Sequence, residues 1–385
     1  MAEKKNLTKK QKRLRAKRRR RRIIFGLEIV VLLILVGGLF VFAKMDKMDF
    51  AELDFTKIGI NSGIAENKVM KGYTTIGLIG LDNREGTLER GNSDTMIIAS
   101  INNDTKTVKL VSVYRDTYLR IGEDEEGNGK YNKANAAYAV GGSEQFISML
   151  NTNLDLNVTD TITVDFAAVA ETAELLGGID VELKEEEVVH LNNYCVETSE
   201  VTGMDYEPLE KVAGVHHLNG VQTVAYARIR YTAGNDFRRA ARQREVIYKL
   251  VEKAKNSDVG TLNKIVDKIF PMIRTTLSKS DIIGMGMSML SYDIEDQAGY
   301  PFDHLYGETV KQAMDGLDCV LPVTLESNAI RLHEFLYPED DYEPSAELKA
   351  YSQRIVEKSG FGDESRLDQS EDGSLAAYRA VDTES

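Results

Sequence analysis

Residues 74–81 read TTIGLIGL, residues 95–101 TMIIASI and residues 107–113 TVKLVSV. Each is a short apolar run, rich in β-branched side chains and bounded by Asp, Asn or Gly, which reads as a strand. Run antiparallel in sequence, the three strands bring the end of the first, the start of the second and the end of the third to one end of a sheet. Asp82, Asp94 and the pair Arg115-Asp116 stand at those three places.

Downstream, the apolar period changes repeatedly. Residues 134–150 predict a helix that breaks or restarts at Gly141-Gly142, 162–166 a strand, 167–176 a helix stopped by Gly177-Gly178, and 179–183 another strand. In 236–256, Phe237, Ala240, Ala241, Tyr248 and Val251 share one helical face. Two more helices are expected near 259–276 and 280–291. Strands alternating with helices predict an α/β fold, a three-layer α-β-α sandwich around a central mixed sheet. Residues 299–337 read as a small mixed appendage, with a strand at 319–323 and a helix at 327–337. The last stretch, 360–385, is Gly-, Ser- and acid-rich without periodicity, so disorder is expected there.

Upstream, residues 23–43 read IIFGLEIVVLLILVGGLFVFA, with Glu28 the single charge. A helix of that length is about 31 Å long at 1.5 Å per residue, matching a hydrocarbon core of about 30 Å. It is longer than the apolar stretch of a cleaved signal peptide. Thirteen Lys/Arg and one acid, Glu3, fill residues 1–22, which places the N-terminus in the cytoplasm. That tail carries +12, so the other 363 residues carry −25 of the net −13. So acidic an outer part would repel a phosphate backbone, and no nucleic acid partner is expected.

The expected organisation is a basic cytoplasmic tail (1–22), a transmembrane helix (23–43), a juxtamembrane linker (44–72), a catalytic domain (73–256), a helical and mixed C-terminal extension (257–340) and an acidic, largely disordered tail (341–385). The catalytic part would lie outside the cell membrane.

Familiar catalytic spacings are missing from the sequence. The five histidines (190, 216, 217, 304 and 333) make no HExxH, and there is no GxSxG elbow or GxxxxGK[ST] loop. Cys195 and Cys319 suit one disulfide in an oxidising exterior, with two buried thiols as the alternative. Arginine is the conspicuous residue. In Tyr226-Ala-Arg228-Ile-Arg230-Tyr, an extended backbone would put both arginines on one face. Arg239 and Gln243 follow at i,i+4 on one helical face. Seven arginines, at 115 and within 228–244, stand out in an acidic background. Planar guanidinium forks suit phosphate oxygens, each charge-assisted bond contributing roughly 1.5–3 kcal/mol. A solvated, salt-bridged helix face accounts equally well for Arg238, Arg242 and Arg244.

The blocks GLIGLDNR (77–84), NSDTMIIASIN (92–102), VSVYRDTYL (111–119), NKANAAYAVGG (132–142), VDFAAVAETAELLGGIDVEL (164–183), GVHHLNGVQTVAYARIRY (214–231) and NDFRRAARQREV (235–246) resemble, in order, those of the LytR-CpsA-Psr family. The resemblance covers about half of the chain, roughly 72–255. It implies a membrane-anchored phosphotransferase that moves a glycopolymer (teichoic acid, capsule or another wall polysaccharide) from undecaprenyl pyrophosphate to peptidoglycan. It also implies Mg2+, with Mn2+ as a substitute, on Asp82 and Asp94. Arg84, Arg115, Lys133, Arg228, Arg230, Arg239 and Gln243 would then surround the pyrophosphate, and an apolar tunnel between helices and sheet would take the prenyl chain. Asp82, Asp94 and Arg115 are the expected catalytic residues, with Asp94 or Asp82, through a water, as the base. Many members have Arg where this chain has Asn92, so Arg90 or Lys133 would compensate. The same residues would serve a lipid-pyrophosphate hydrolase, and a non-enzymatic membrane regulator is the third reading.

Overall fold

A computed structural model describes residues 44–82, 88–230, 235–370 and 376–379. The chain divides into two units, Met1–Lys47 and Met48–Ser385. Only 44–47 of the first are described, so the basic tail and the expected span 23–43 lie outside the described residues. So does Arg84. Among the described residues, no helix is long and apolar enough to cross a membrane.

In chain order the second unit contains β1 (Asp49–Phe50), β2 (Tyr73–Leu81), β3 (Ser93–Asn102), β4 (Thr107–Val113), β5 (Tyr118–Glu123), β6 (Gly129–Lys133), α1 (Ala136–Leu154), β7 (Val158–Asp165), α2 (Phe166–Leu175), β8 (Ile179–Leu183), α3 (Glu185–Thr202), β9 (Gly214–Leu218), α4 (Gly220–Arg228), α5 (Asn235–Lys255), α6 (Val259–Ile269), β10 (Arg274–Thr275), α7 (Lys279–Ser288), β11 (Asp293–Tyr300), α8 (Glu308–Ala313), α9 (Leu325–Leu336) and α10 (Ala346–Ser359). A seven-stranded mixed sheet runs in the order β1-β10-β7-β2-β3-β4-β11. The three apolar runs are its middle: β2 and β3 pair antiparallel, as do β3 and β4, while β7 joins β2 in parallel.

Strand alternation makes the layers. Ile79, Leu81, Met96, Ile98 and Val111 point to one face, where Phe146 and Leu150 of α1 pack on them. Leu78, Ile97, Ala99 and Leu110 point to the other, against Ile247 of α5. Gly77 permits the first contact, because a Cβ there would lie 2.6 Å from Phe146 Cε1. Within α1 the backbone breaks at the expected pair, with Gly142 at φ 63°.

Several expectations need correction. Residues 226–228 close α4, so the Arg228/Arg230 stretch is not an extended strand. The local reason lies upstream: Asn219 and Gln222 form a reciprocal capping box that starts a helix. Strand β8 is outside the main sheet and pairs with β9 over its own core of Val188, Leu191 and Val221. The helix expected over 259–276 ends at Ile269, and Arg274–Thr275 become a sheet strand. Residues 299–337 are no appendage, since Tyr300, Leu321, Leu325, Leu332 and Tyr337 belong to the main core.

Nor is 44–72 a separate linker or 341–385 a largely disordered tail. Ile64 and Met70 are core residues, and α10 covers 346–359 with Leu348 and Ile355 buried. Leu367–Gln369 pairs with Ala376–Tyr378 within the stretch expected to be disordered. Buried Asp155, just after α1, fastens both segments: Asn61 Nδ2 donates to Oδ1 at 2.6 Å, Tyr342 Oη to Oδ2 at 2.7 Å and the Ser345 N–H to Oδ2 at 2.7 Å. Cys195 and Cys319 are free, each buried in a different core, which rules out the expected disulfide. Burial pushes both thiols up to about 12.

Candidate functional site

Register assembles one end of the sheet. Leu81, the last residue of β2, pairs with Ser93 on β3 and with Asp165 on β7. Asp165 caps α2 by accepting from the Ala168 N–H, which sets Phe166 at the mouth of the region. Asp82 and Asp94 therefore flank the same sheet end, and Arg115 follows β4 two residues after Val113.

The polar side chains close on one another there. Arg115 Nη1 donates to Asp94 Oδ1 at 2.5 Å, and Arg230 Nη2 lies 3.6 Å from Asp94 Oδ2. Arg228 Nη2 lies 4.0 Å from Asp82 Oδ2 and donates to Glu197 Oε2 at 2.9 Å, while its Nη1 donates to Thr198 Oγ1 at 3.0 Å. Its guanidinium carbon sits 4.7 Å from the Phe166 ring centroid. On α5, Arg239 Nη2 is 3.2 Å from Asp236 Oδ1 and donates to the Asp94 carbonyl at 3.4 Å. Burial pulls the Arg239 guanidinium below the ordinary arginine range, with the Asp236 carboxylate opposing that effect.

Of these groups, Asp82, Asp94, Phe166, Glu197, Arg228, Arg230 and Arg239 line a polar cavity of about 190 Å³. Beside it, between the sheet and α2, α4 and α5, lies a second cavity of about 230 Å³ walled by apolar side chains such as Ile97, Val164, Val169 and Val246. Phe166 and Gln243 line both, so a chain emerging from the apolar space meets the arginines directly.

Of the sequence-predicted residues, Asp82, Asp94, Arg228, Arg230, Arg239 and Gln243 line the polar cavity, and Arg115 reaches it through Asp94. Lys133 stands one step back: its Nζ is 3.1 Å from Asp116 Oδ1, and Arg115 Nε is 3.6 Å from the same oxygen. Arg90 is exposed and lines neither cavity, so no compensating role for it near Asn92 follows. Tyr194, Glu197 and Thr198 are additions. They come from α3, whose available signal was the acidic first turn Glu185-Glu186-Glu187.

Asp82 and Asp94 supply two carboxylates to one cavity, the hard oxygen donors that Mg2+ takes together with substrate phosphates. Among the described residues no three His, Cys, Asp or Glu converge as a metal cage. The donor set thus fits a metal that arrives with its substrate's oxygens. It would also free the guanidiniums from the carboxylates they now face.

An α/β fold that holds several arginines at the mouth of an apolar cavity has the chemistry to suit an anionic headgroup on a greasy tail. The LytR-CpsA-Psr family model matches residues 44–309, and the chain belongs to that family. It is 30% identical over 264 residues to the polyisoprenyl-teichoic acid–peptidoglycan teichoic acid transferase TagU of Enterococcus faecalis, covering 68% of this chain and 80% of the relative. TagT of Bacillus subtilis, named for the same transfer, is 29% identical over 240 residues, covering 58% and 70%. The crystal structure of protein gbs0355 from Streptococcus agalactiae superposes with a TM-score of 0.55 at 25% identity, covering 74% of this chain and 93% of that one.

Proposed function

We propose that the chain is a membrane-anchored phosphotransferase that moves a phosphoglycopolymer from a polyprenyl pyrophosphate carrier to a hydroxyl of peptidoglycan. One observation carries the reading: four arginines and two aspartates gather at a polar cavity that shares Phe166 and Gln243 with an apolar one. The relatives' names give the transfer its direction, and the 23–43 run with its basic flank gives the anchor.

In this mechanism the prenyl chain lies in the apolar cavity, each buried methylene contributing about 0.8 kcal/mol. Arg228, Arg230 and Arg239 grip the diphosphate, and Phe166 holds the Arg228 fork in plane. The acceptor hydroxyl oxygen forms a bond to the polymer-side phosphorus as the bond from that phosphorus to the bridging oxygen breaks, and polyprenyl phosphate leaves. The hydroxyl proton passes, through a water, to Asp82 or Asp94. Charge building on the leaving phosphate meets guanidiniums already in position, so little reorganisation is needed. Mg2+ or Mn2+ bound at Asp82 and Asp94 would supply further charge neutralisation on the diphosphate oxygens. Anchoring in the membrane raises the local concentration of a lipid-bound donor.

The test is incubation of the full chain with lipid-linked donor and glycan strands, with and without divalent cation. Polymer covalently joined to glycan is the expected product. Free phosphoglycan without joined product would make the protein a hydrolase instead, and equal yield in chelator would remove the metal.

A further inference from the structure

Helix α7 and the turn after it are apolar in composition yet sink no side chain fully into a core. Neither Lys279–Ser288 nor the turn Met289–Ser291 contains a buried residue. Ile282, Ile283, Met285 and Met289 are half-buried, while Met287 and Leu290 are 80% and 74% exposed. A Cβ added at Gly284 or Gly286 would meet nothing within 4 Å, so the helix has open space beside it. A single exposed apolar side chain needs no explanation, but two strongly exposed ones three residues apart, with four half-buried ones on the same short segment, do.

Where the chain leaves the membrane supplies the occupant. This step rests on the anchored reading of 23–43. Six peptide steps separate Ala43 from Asp49, a reach of roughly 20 Å at most. Asp49–Phe50 is β1, which pairs in parallel with Arg274–Thr275, the strand immediately before α7. Lys279, the first residue of α7, has its ammonium 5.5 Å from the Phe50 ring centroid. The half-exposed helix is thereby tied to the first strand after the expected span. The helix before it in the chain points to the substrate: α6 packs on α2, with Lys268 paired to Glu171, and α2 carries Phe166 and Val169 of the apolar cavity wall.

We propose that α7 and Met289–Ser291 lie in the outer surface of the lipid bilayer, and that this contact delivers the prenyl chain to the apolar cavity along α6 and α2. Apolar side chains on a segment lying along a membrane surface are buried at the headgroup–acyl boundary, about 5–10 Å deep. Met side chains suit such a surface because they adapt to disordered acyl chains.

The experiment uses the full chain reconstituted in vesicles containing lipids brominated on the acyl chains. Single cysteines replace Met287, Leu290 or, as an exposed control on β9, Val215, and carry an environment-sensitive fluorophore; the unsubstituted chain reports background labelling. Labels at 287 and 290 should lose roughly half of their emission to the brominated lipid, and the label at 215 should lose none. Equal emission at all three sites in vesicle-bound protein would overturn the proposal while leaving the anchor intact. Protein that fails to float with the vesicles would overturn the anchor first, and this proposal with it.

A second arm pairs Met287→Glu with Leu290→Glu. Transfer from a long-chain donor embedded in vesicles should fall about tenfold, with transfer from a short-chain, detergent-dispersed donor unchanged. Equal loss with both donors would assign these residues a structural part instead.

Discussion

Arg228 and Arg230 stand two residues apart and face one cavity from different backbones, a helix end and the loop beyond it. Arg228 is the more embedded, its side chain 11% exposed and its fork held by Thr198, Glu197 and the Phe166 face. Arg230 is 36% exposed, and its ion pairs to Asp94 and Asp236 are 3.6 and 3.4 Å long. Pairs that long and that accessible contribute little to stability. Arg230→Ala should therefore cost roughly 10²–10³ in kcat/KM, about 2.7–4 kcal/mol of transition-state stabilisation. Its melting temperature should move by no more than about 2 °C. Transfer kinetics and calorimetry on the same preparation check both halves, and a large thermal loss with normal transfer would make Arg230 structural. Arg228→Lys asks a different question, because it keeps the charge but loses the fork and the plane. A fall in both transfer and melting temperature is expected there. Asp82, Asp94 and Arg115 were legible in the sequence because strand ends in an antiparallel run must meet. Glu197 was not: it reaches Arg228 from a polar helix, across 31 residues that no periodicity connects.

At the scale of elements, the sheet was the readable part and its covering helices less so. Strands β2, β3 and β4 announce themselves as short continuous apolar runs, because each face is buried under a different helix layer. Alternating Ala/Ile and Arg at 227–230 imitates the two-residue period of a half-buried strand, yet the Asn219 capping box starts a helix there. Local capping outweighed a short two-residue period. The edge strand β11 was missed because Glu295, Asp296 and Gly299 dilute its pattern, although it pairs with all of β4. The union of α1 with the sheet offers a direct test. Gly77→Ala would place a Cβ 2.6 Å from Phe146 Cε1 on a helix that is buried along most of its length. Overpacking of this kind costs roughly 1–3 kcal/mol. Denaturant melts should show that loss, and Phe146→Leu should restore part of it in the Gly77→Ala background but not alone. Independent, additive losses would mean that Gly77 serves the backbone rather than the helix.

At the scale of the whole molecule, the ends of the described chain are fastened to its middle by buried polar groups, and composition alone could not reveal this. Acid residues in 341–385 read as a solvated tail, yet Tyr342 and Ser345 meet a carboxylate that no solvent reaches. His333 lies in the same knot, its Nε2 2.9 Å from the Leu154 carbonyl and its ring stacked 3.5 Å from Tyr342. Burial holds its imidazole below the usual 6.5. The unfolded chain therefore takes up the proton first. The contribution of His333 to stability is full above about pH 6.5 and is lost as pH falls below it toward the folded value. Melting temperature should drop on acidification from pH 7 to 5, and His333→Gln should flatten that limb. The sharper test is Asp155 itself. Asp155→Ala takes the acceptor from the Tyr342 hydroxyl and the Ser345 N–H and leaves Asn61 Nδ2 the Thr152 carbonyl, a loss of roughly 3–5 kcal/mol by analogy with breaking a buried charged network. Asp155→Asn keeps one acceptor oxygen but turns an amide toward the remaining donors, so its loss should be smaller yet clear. Hydrogen exchange adds the spatial readout, because protection should fall together around 61 and around 345, 284 residues apart in the chain. Loss confined to one of the two segments would show that Asp155 does not join them.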